Sequence, residues 1–247
     1  GMCKTYSAGG KVVKMKDLDK LMPKNRLNMS QLKSDSSLAA EVQMVDDGRG
    51  KKRVYRLKQF SLVEVAEKDW GNFFSGDCYL IAYTYKIEEE EKFIVYFWIG
   101  SKSSVDEKGA IAMQAAEYDN KHFNGRAVQV RVIEGKEPPH FTAMFEGKMI
   151  IYKGGFKSGF TAASQNEASE TQKDKYLLQV RGTNKYVTRA VEVECSAASL
   201  NSNDVFVLYT PSAIFIWAGK GSTGDEREMA KLCAHKYRGK PFKQKAF

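Results

Sequence analysis

The chain of 247 residues has few of the residue patterns that carry enzyme chemistry. It has three histidines and four cysteines, and no cysteine stands in C-x-x-C spacing or near a histidine in a metal-ligand pattern. No serine or cysteine belongs to a nucleophile motif, and no P-loop is present. A zinc site, a disulfide framework and catalysis are therefore not expected, and we predict that the protein is not an enzyme.

Long apolar runs are also missing. No stretch approaches the roughly 20 apolar residues that a membrane-spanning helix needs, and the N-terminus has no apolar core typical of a signal peptide. We therefore expect a protein that is not an integral membrane protein, with reduced cysteines and a cytoplasmic location. Hydrophobic residues at 43% are sufficient for packed cores.

The net charge of +9 is concentrated at the two ends. Residues 1–56 carry 13 basic and six acidic side chains, and residues 229–247 carry six basic side chains and no acidic one. Basic ends are most often solvated tails, and these lack the interleaved aromatic residues of a nucleic-acid binder, so no nucleic-acid partner is expected. The alternative is a surface for anionic lipid headgroups, with Lys51, Lys52 and Arg53 as its tightest cluster.

Periodicity divides the chain into four parts. Residues 1–50 are polar and predict a linker or partly disordered lead-in, and residues 156–174, rich in Ser, Gly and Gln, predict a second linker. Residues 51–155 alternate strand patterns with a long helix from Ser104 to about His122 and a short one that begins near Pro138. Residues 175–247 show the strand pattern again and end in a basic tail.

The two ordered parts are copies of one unit. Trp98 stands nine residues before Glu107, and Trp217 stands nine residues before Glu226. Asp77 precedes the first pair and Asp204 the second, each at the start of a strand pattern. The second copy has no evident counterpart of the strand 128–133 or of 138–152, so we expect it to be incomplete, with an exposed sheet edge and apolar face. Residues 176–247 are therefore expected to be marginally stable, to dimerise or to need a partner.

The repeated acids permit two interpretations. Calcium prefers carboxylate and carbonyl oxygens, and an Asp at a strand start with a Glu in the first turn of the next helix can supply them. Gly76 and Asn203, which precede the aspartates, tolerate the backbone turn that points a carbonyl inward. However, Ser104–Glu107 and Thr223–Glu226 also match the capping box that closes a helix start. Gly219–Ser222 resembles part of a phosphate loop but is more typical of a turn.

Longer motifs resemble the gelsolin/villin family. They are SGDCYLIAYTY, WIGSKSSVDE, EGKEPPH and MIIYKGG in the first copy, LNSNDVFVL and GKGSTGDEREMAK in the second, and MVDDGRGK in the lead-in. In order they resemble the fourth and fifth gelsolin-like repeats, most similar to the villin type, with the fifth truncated. The resemblance implies an α+β fold of two repeats. Each is a central mixed β-sheet between a long and a short helix, and the second is incomplete.

The resemblance implies a cytoskeletal protein that binds actin under calcium control and severs or caps filaments, with phosphoinositides as a further ligand. It implies one calcium site at the Gly76 carbonyl, Asp77 and Glu107, with a further carbonyl from Phe156, where the family usually has Thr. The second site is implied at the Asn203 carbonyl, Asp204 and Glu226. A further calcium site shared with actin is implied at Asp119, Gly125 and Ala127, although this loop is one residue longer than usual.

Overall fold

A computed structural model describes residues 43–155 and 175–236, together with the backbone of residues 6–8, 11–13 and 242–246. The chain divides into two units, residues 1–36 and 37–247. In the first unit, strands β1 (Tyr6–Ala8) and β2 (Lys11–Val13) pair as an antiparallel hairpin. Both repeats belong to the second unit.

The first repeat is built on a mixed five-stranded sheet. Its strands lie in the order β4-β3-β6-β7-β8, and only the last pair, β7 with β8, is parallel. The alternating and continuous apolar patterns of the sequence form these strands as expected. Their bounds are β3 Lys51–Lys58, β4 Ser61–Glu64, β6 Cys78–Ile87, β7 Glu90–Ile99 and β8 Val128–Ile133.

A tight turn joins the two longest strands of this sheet. Its central residues, Glu88 and Glu89, both have positive φ, at 47° and 67°. Positive φ at both positions is the backbone of the two-residue hairpin turn that matches the twist of the flanking strands. Two glutamates therefore form the tip of the hairpin between β6 and β7.

Two helices cover the two faces of the first sheet. Helix α1 (Val105–Phe123) packs Ile111, Ala115 and Tyr118 against one face, and helix α2 (Pro139–Ala143) lies over the other. The core beneath α2 is aromatic, and Trp98 is fully buried there. This arrangement confirms the predicted sheet between a long and a short helix.

The second repeat reproduces this strand order. Strands β11-β10-β12-β13-β14 correspond to β4-β3-β6-β7-β8, with the final pair again parallel. Helix α3 (Gly224–Lys236) packs on one face through Met229, Ala230 and Cys233. The strand bounds are β10 Tyr176–Arg181, β11 Arg189–Val193, β12 Val205–Tyr209, β13 Ile214–Ala218 and β14 Phe242–Ala246.

Strand β14 corrects one expectation. The prediction that nothing in the second copy corresponds to Val128–Ile133 was wrong, because Phe242–Ala246 pairs in parallel with all five residues of β13. The sequence pattern did not predict this strand because FKQKA is short and carries two lysines, which lower its β-propensity. The edge of β13 that was expected to be exposed is therefore occupied.

The two repeats share a sheet. Strands β5 (Asn72–Phe74) and β9 (Ile150–Tyr152), which come from the first repeat, pair in parallel and extend the second sheet beside β11. A buried ion pair lies alongside, with Arg189 Nε 3.3 Å from Glu137 Oε2. The repeats are thus joined by backbone pairing as well as by side chains.

Among the described residues, no helix covers one face of the second sheet. Phe206, Phe215 and Trp217 line a groove of about 250 Å³ on the face opposite α3, and Trp217 is only half-buried. In the first repeat α2 covers the equivalent face. Within the described residues, no helix is both long enough and apolar enough to cross a membrane.

Candidate metal sites

The same backbone loop positions an aspartate and a glutamate in each repeat. In the first, Gly100 N–H donates to the Asp77 carbonyl at 3.0 Å, and Lys102 N–H donates to the Ser75 carbonyl at 2.7 Å. In the second, Gly219 N–H donates to the Asp204 carbonyl at 3.0 Å. The loop between the long helix and the preceding strand is thus fixed to the start of the Asp-bearing strand.

The match extends to the next residues of the second loop. Gly221 N–H donates to the Ser202 carbonyl at 2.8 Å, and the hydroxyls of Ser103 and Ser222 each donate to the carbonyl three residues earlier at 2.7 Å. Because the Gly219 and Gly221 amides are used inside the protein, this segment is the turn that the sequence favoured. A Cβ at Gly219 would lie 2.4 Å from the Ser202 carbonyl oxygen, so the loop requires glycine there.

In the first repeat, Asp77 lies completely buried at the start of β6. Tyr79 O–H donates to Asp77 Oδ2 over 3.5 Å, and the Gly154-Gly155 segment packs across the carboxylate. A Cβ at Gly155 would come within 2.9 Å of Asp77 Oδ1. The chain that leads to Phe156 therefore passes directly over the buried aspartate.

The carboxylates of Asp77 and Glu107 both affect the pKa of one neighbour, the thiol of Cys78. The pKa of Cys78 is raised to about 11, chiefly by burial and also by the nearby carboxylates of Glu107 and Asp77, against the hydrogen bonds with Ser103 and Gly100. Asp77 lies directly before β6, and Glu107 lies in the first turn of α1, which follows the loop fixed to that strand start. The structure therefore brings the predicted pair of the first site into one region.

Both predicted capping boxes are present. Glu107 N–H donates to Ser104 Oγ at 3.2 Å and Ser104 N–H donates to Glu107 Oε2 at 2.9 Å. Thr223 and Glu226 exchange the equivalent bonds at 3.2 and 2.8 Å. The capping interpretation is confirmed, and it orients each glutamate at its helix start without excluding a second role in binding a cation.

In the second repeat, amide groups surround the carboxylates. Asp204 Oδ2 accepts from Gln179 Nε2 at 2.5 Å and from Asn201 Nδ2 at 2.8 Å. Glu226, 4% exposed, accepts the Gly182 N–H on Oε1 at 3.0 Å. Asn203 is exposed next to Asp204. These amide donors were not anticipated, because Gln179 and Gly182 reach the site from β10 and the residues after it, far away in sequence.

At the third predicted site, N–H groups donate hydrogen bonds to the aspartate. Asp119, 3% exposed, accepts the Ala127 N–H on Oδ1 at 2.9 Å and the Gln129 side-chain amide on Oδ2 at 3.1 Å. The Gly125 N–H bonds to the Asp119 carbonyl at 3.2 Å. The structure thus brings Asp119, Gly125 and Ala127 together, with Asp119 fastening the end of α1 to the start of β8. The proposed metal role of this group stays a prediction.

The three basic residues predicted to bind lipid do not form one cluster. They alternate along β3, so Lys52 points to the opposite side of the sheet from Lys51 and Arg53. Arg53 makes two hydrogen bonds with the Glu64 carboxylate, at 2.9 and 3.0 Å, and Lys52 Nζ lies 5.5 Å from the Trp70 ring centroid. Lys51 is exposed.

The residues present fit a calcium ion in both repeats. Each site offers an aspartate and a glutamate held by the same loop, and oxygen donors of this kind suit a hard cation. Across residues 43–155 and 175–236, no group of three or more His, Cys, Asp or Glu side chains could hold a metal, and a cation at either candidate site would need backbone carbonyls as further ligands. Phe156, the predicted source of one carbonyl, lies outside the described residues.

Comparison with protein families agrees with the internal repeat. The model of the gelsolin repeat matches the chain twice, at residues 59–142 and 187–246. The two matches fall on the two sheets described above.

Individual relatives match across most of the chain. Advillin of Mus musculus is 46% identical over 84% of the chain and 24% of its own length, and gelsolin of Xenopus laevis is 44% identical over 81% of the chain and 46% of its own length. The chain thus spans between a quarter and a half of these relatives. A solved structure, the complex of Thorarchaeota 2DGel3 with rabbit actin, contains a chain that aligns with this protein at 27% identity and a TM-score of 0.33. The alignment covers 79% of this protein and 93% of the matched chain.

Proposed function

Because the chain belongs to the gelsolin repeat family, we propose that it is a calcium-regulated actin-binding part of a filament-severing or capping protein. The observation that carries this proposal is the shared loop, which holds an Asp and a Glu at the same end of each sheet. We propose a non-enzymatic, cytoplasmic role at the cytoskeleton. The geometry supports two cation sites that act on the fold.

In the first site we propose that Asp77, Glu107 and the Gly76 carbonyl hold the ion, with Phe156 supplying a further carbonyl. In the second we propose Asp204, Glu226 and the Asn203 carbonyl. A bound calcium ion would supply positive charge between carboxylates that otherwise repel one another. Because the glutamate belongs to the long helix and the aspartate to the sheet, the protein ligands of each site would fasten the helix to the sheet.

Helix α1 is the element that we propose for actin contact. Its outer side exposes two large apolar side chains, Val105 at 82% and Met113 at 74%. Exposed apolar residues along one helix are typical of an interaction surface. Glu107 and Asp119 belong to this same helix, so calcium bound at these residues would affect the orientation of the helix.

Calcium titration tests the ligand assignment. A ligand that binds the folded state alone raises the melting temperature, so calcium should stabilise the chain relative to EDTA. Glu107→Gln and Glu226→Gln should each reduce the calcium affinity while the ion-free protein stays folded. A melting temperature that calcium leaves unchanged would contradict the assignment.

Actin binding requires its own test. Co-sedimentation with filaments and depolymerisation of pyrene-labelled filaments, each with calcium and with EDTA, should show binding or filament loss that depends on calcium. Met113→Glu should weaken co-sedimentation, with Ile133→Glu, an exposed apolar residue on β8, as a matched control. Binding that neither calcium nor Met113→Glu affects would contradict the proposal.

One observation favours anionic lipid headgroups as a second ligand class. Lys52, Lys68 and Lys148 line an open groove of about 680 Å³ beside Trp70. Lys52→Ala should therefore weaken binding to vesicles that contain phosphoinositide, and high salt should abolish it. Arg53→Ala is the matched control, because Arg53 is engaged with Glu64 on the opposite side of β3.

Self-association through the second repeat also remains a proposal. Its open groove, with Phe215 and Leu200 exposed, is the surface that supports it. Sedimentation velocity should show a dimer that Phe215→Ser disrupts. Limited proteolysis should cut residues 175–247 before residues 51–155, and equal resistance of both parts would contradict the expected weakness of the second repeat.

A further inference from the structure

In the second candidate site, two side-chain amides donate to the carboxylate that we propose as a calcium ligand. Gln179 Nε2 donates to Asp204 Oδ2 at 2.5 Å, and Asn201 Nδ2 donates to the same oxygen at 2.8 Å. The amide hydrogens of Gln179 thus bring partial positive charge to a carboxylate that the proposed calcium ion needs.

The two amides differ in how they are held. Asn201 is fixed by its own turn, because its Oδ1 accepts the N–H groups of Asn203 and Asp204 at 2.9 and 3.0 Å. Gln179 reaches Asp204 from a neighbouring strand, across the sheet. Its longer side chain can rotate away without opening the turn, so Gln179 is the donor that can leave.

Strand pairing sets the position of Gln179. It lies opposite Phe206 in the pairing of β10 with β12, two residues beyond Asp204 on the same face. The equivalent position of the first repeat, opposite Tyr79, is Arg56. The two copies therefore carry different side chains at this register position, an amide in one and a guanidinium in the other.

We propose that Gln179 is an internal competitor for calcium at the Asp204 site. Its amide satisfies the aspartate in the ion-free state and must withdraw before the ion binds, which lowers the affinity of this site. This inference rests on the proposed function, since it concerns the same pair, Asp204 and Glu226. The calcium concentration at which the second repeat responds would then depend on Gln179, which is not itself a calcium ligand.

Calorimetric titration of the full chain with calcium chloride tests the competition. The titration uses a Glu107→Gln background, which weakens the first site. Gln179→Leu removes the donor and keeps the side-chain size, so the affinity at the second site should rise about tenfold, the scale of a hydrogen bond to a charged group. Gln114→Leu on α1 is the matched control and should leave the affinity unchanged.

A second measurement needs no variant at Gln179. In EDTA, the side-chain NH₂ resonances of Gln179 should show protection from exchange with water, and calcium should abolish that protection. An affinity that falls in Gln179→Leu would make Gln179 a ligand and overturn the proposal, and an unchanged affinity or persistent protection would overturn it as well.

The outcomes separate this inference from the proposed function. If no calcium heat depends on Glu226, the proposed site itself fails. If Glu226→Gln removes the heat but Gln179→Leu leaves the affinity unchanged, the site stands and only the competition fails.

Discussion

The two repeats share a backbone and differ in what surrounds it. In both, a glycine N–H binds the carbonyl of the Asp and a capping box fixes the Glu. In the first repeat the Asp is buried and a helix covers each sheet face, whereas in the second the Asp is half-buried among amides and no described helix covers one face. The shared loop thus brings the two acids to the same end of each sheet, while the neighbouring side chains determine how exposed each acid is.

The aromatic core beneath α2 should show the largest difference between the repeats. Phe73 is fully buried, with its ring centroid 4.9 Å from those of both Tyr79 and Trp98. Phe73→Ala should lower the free energy of unfolding by about 3–5 kcal/mol, measured by urea denaturation. Phe215→Ala in the second repeat should cost less, because Phe215 is 38% exposed at the open groove. Equal losses would show that the groove is packed as firmly as the core.

The loop glycines should instead behave alike. A Cβ at Gly100 would lie 2.3 Å from the Ser75 carbonyl oxygen, and one at Gly219 would lie 2.4 Å from that of Ser202. Gly100→Ala and Gly219→Ala should each cost about 1–3 kcal/mol, because backbone must shift to accommodate the methyl group. Hydrogen exchange of β6 and β12 would locate each loss in its own repeat. A loss in only one repeat would break the equivalence of the loops, and Gly109→Ala, with open space around it, is the control.

Local patterns predicted most of this architecture. The spacing of Trp98 and Trp217 from their glutamates identified the repeat, and β8 and the helix starts lie where the periodicity placed them. Long-range pairing was not predictable in the same way. Strand β14 is short and basic, and the junction of β9 with β11 depends on contacts between repeats that no local pattern records. The resemblance supplied the ligand set, whereas Gln179 and Gly182 became visible only in the fold.

The capping boxes offer a smaller and more local comparison. Ser104→Ala and Thr223→Ala each remove the hydroxyl that accepts the Glu N–H, at a cost of about 1 kcal/mol in the free energy of unfolding. The Thr223 change should also release buried Glu226 from one of its constraints and weaken calcium binding more than the Ser104 change does. Thermal melts in EDTA and in calcium would separate the two effects. Calcium affinities that fall equally would show that burial of the glutamate has no influence on the site.

The smallest effect should come from the lead-in, which affects the first repeat alone. Asp46 accepts hydrogen bonds from Tyr83 at 2.7 Å, from the Gly48 N–H at 2.9 Å and from His140, whose Nε2 lies 2.7 Å away. Burial raises the pKa of Asp46, but these hydrogen bonds together outweigh it and hold the pKa below its ordinary value of 3.8.

A lowered pKa in the folded state gives stability that is complete above the ordinary value and is lost as the pH falls through the folded value. Below about pH 4, exchange protection of β6 should therefore decline while that of β12 follows the rest of the protein. Asp46→Asn should remove this pH dependence. The effect is small because the Asp46 side chain stays 21% exposed and solvent screens its charge. An acid response that is equal in both repeats would assign the transition to other carboxylates.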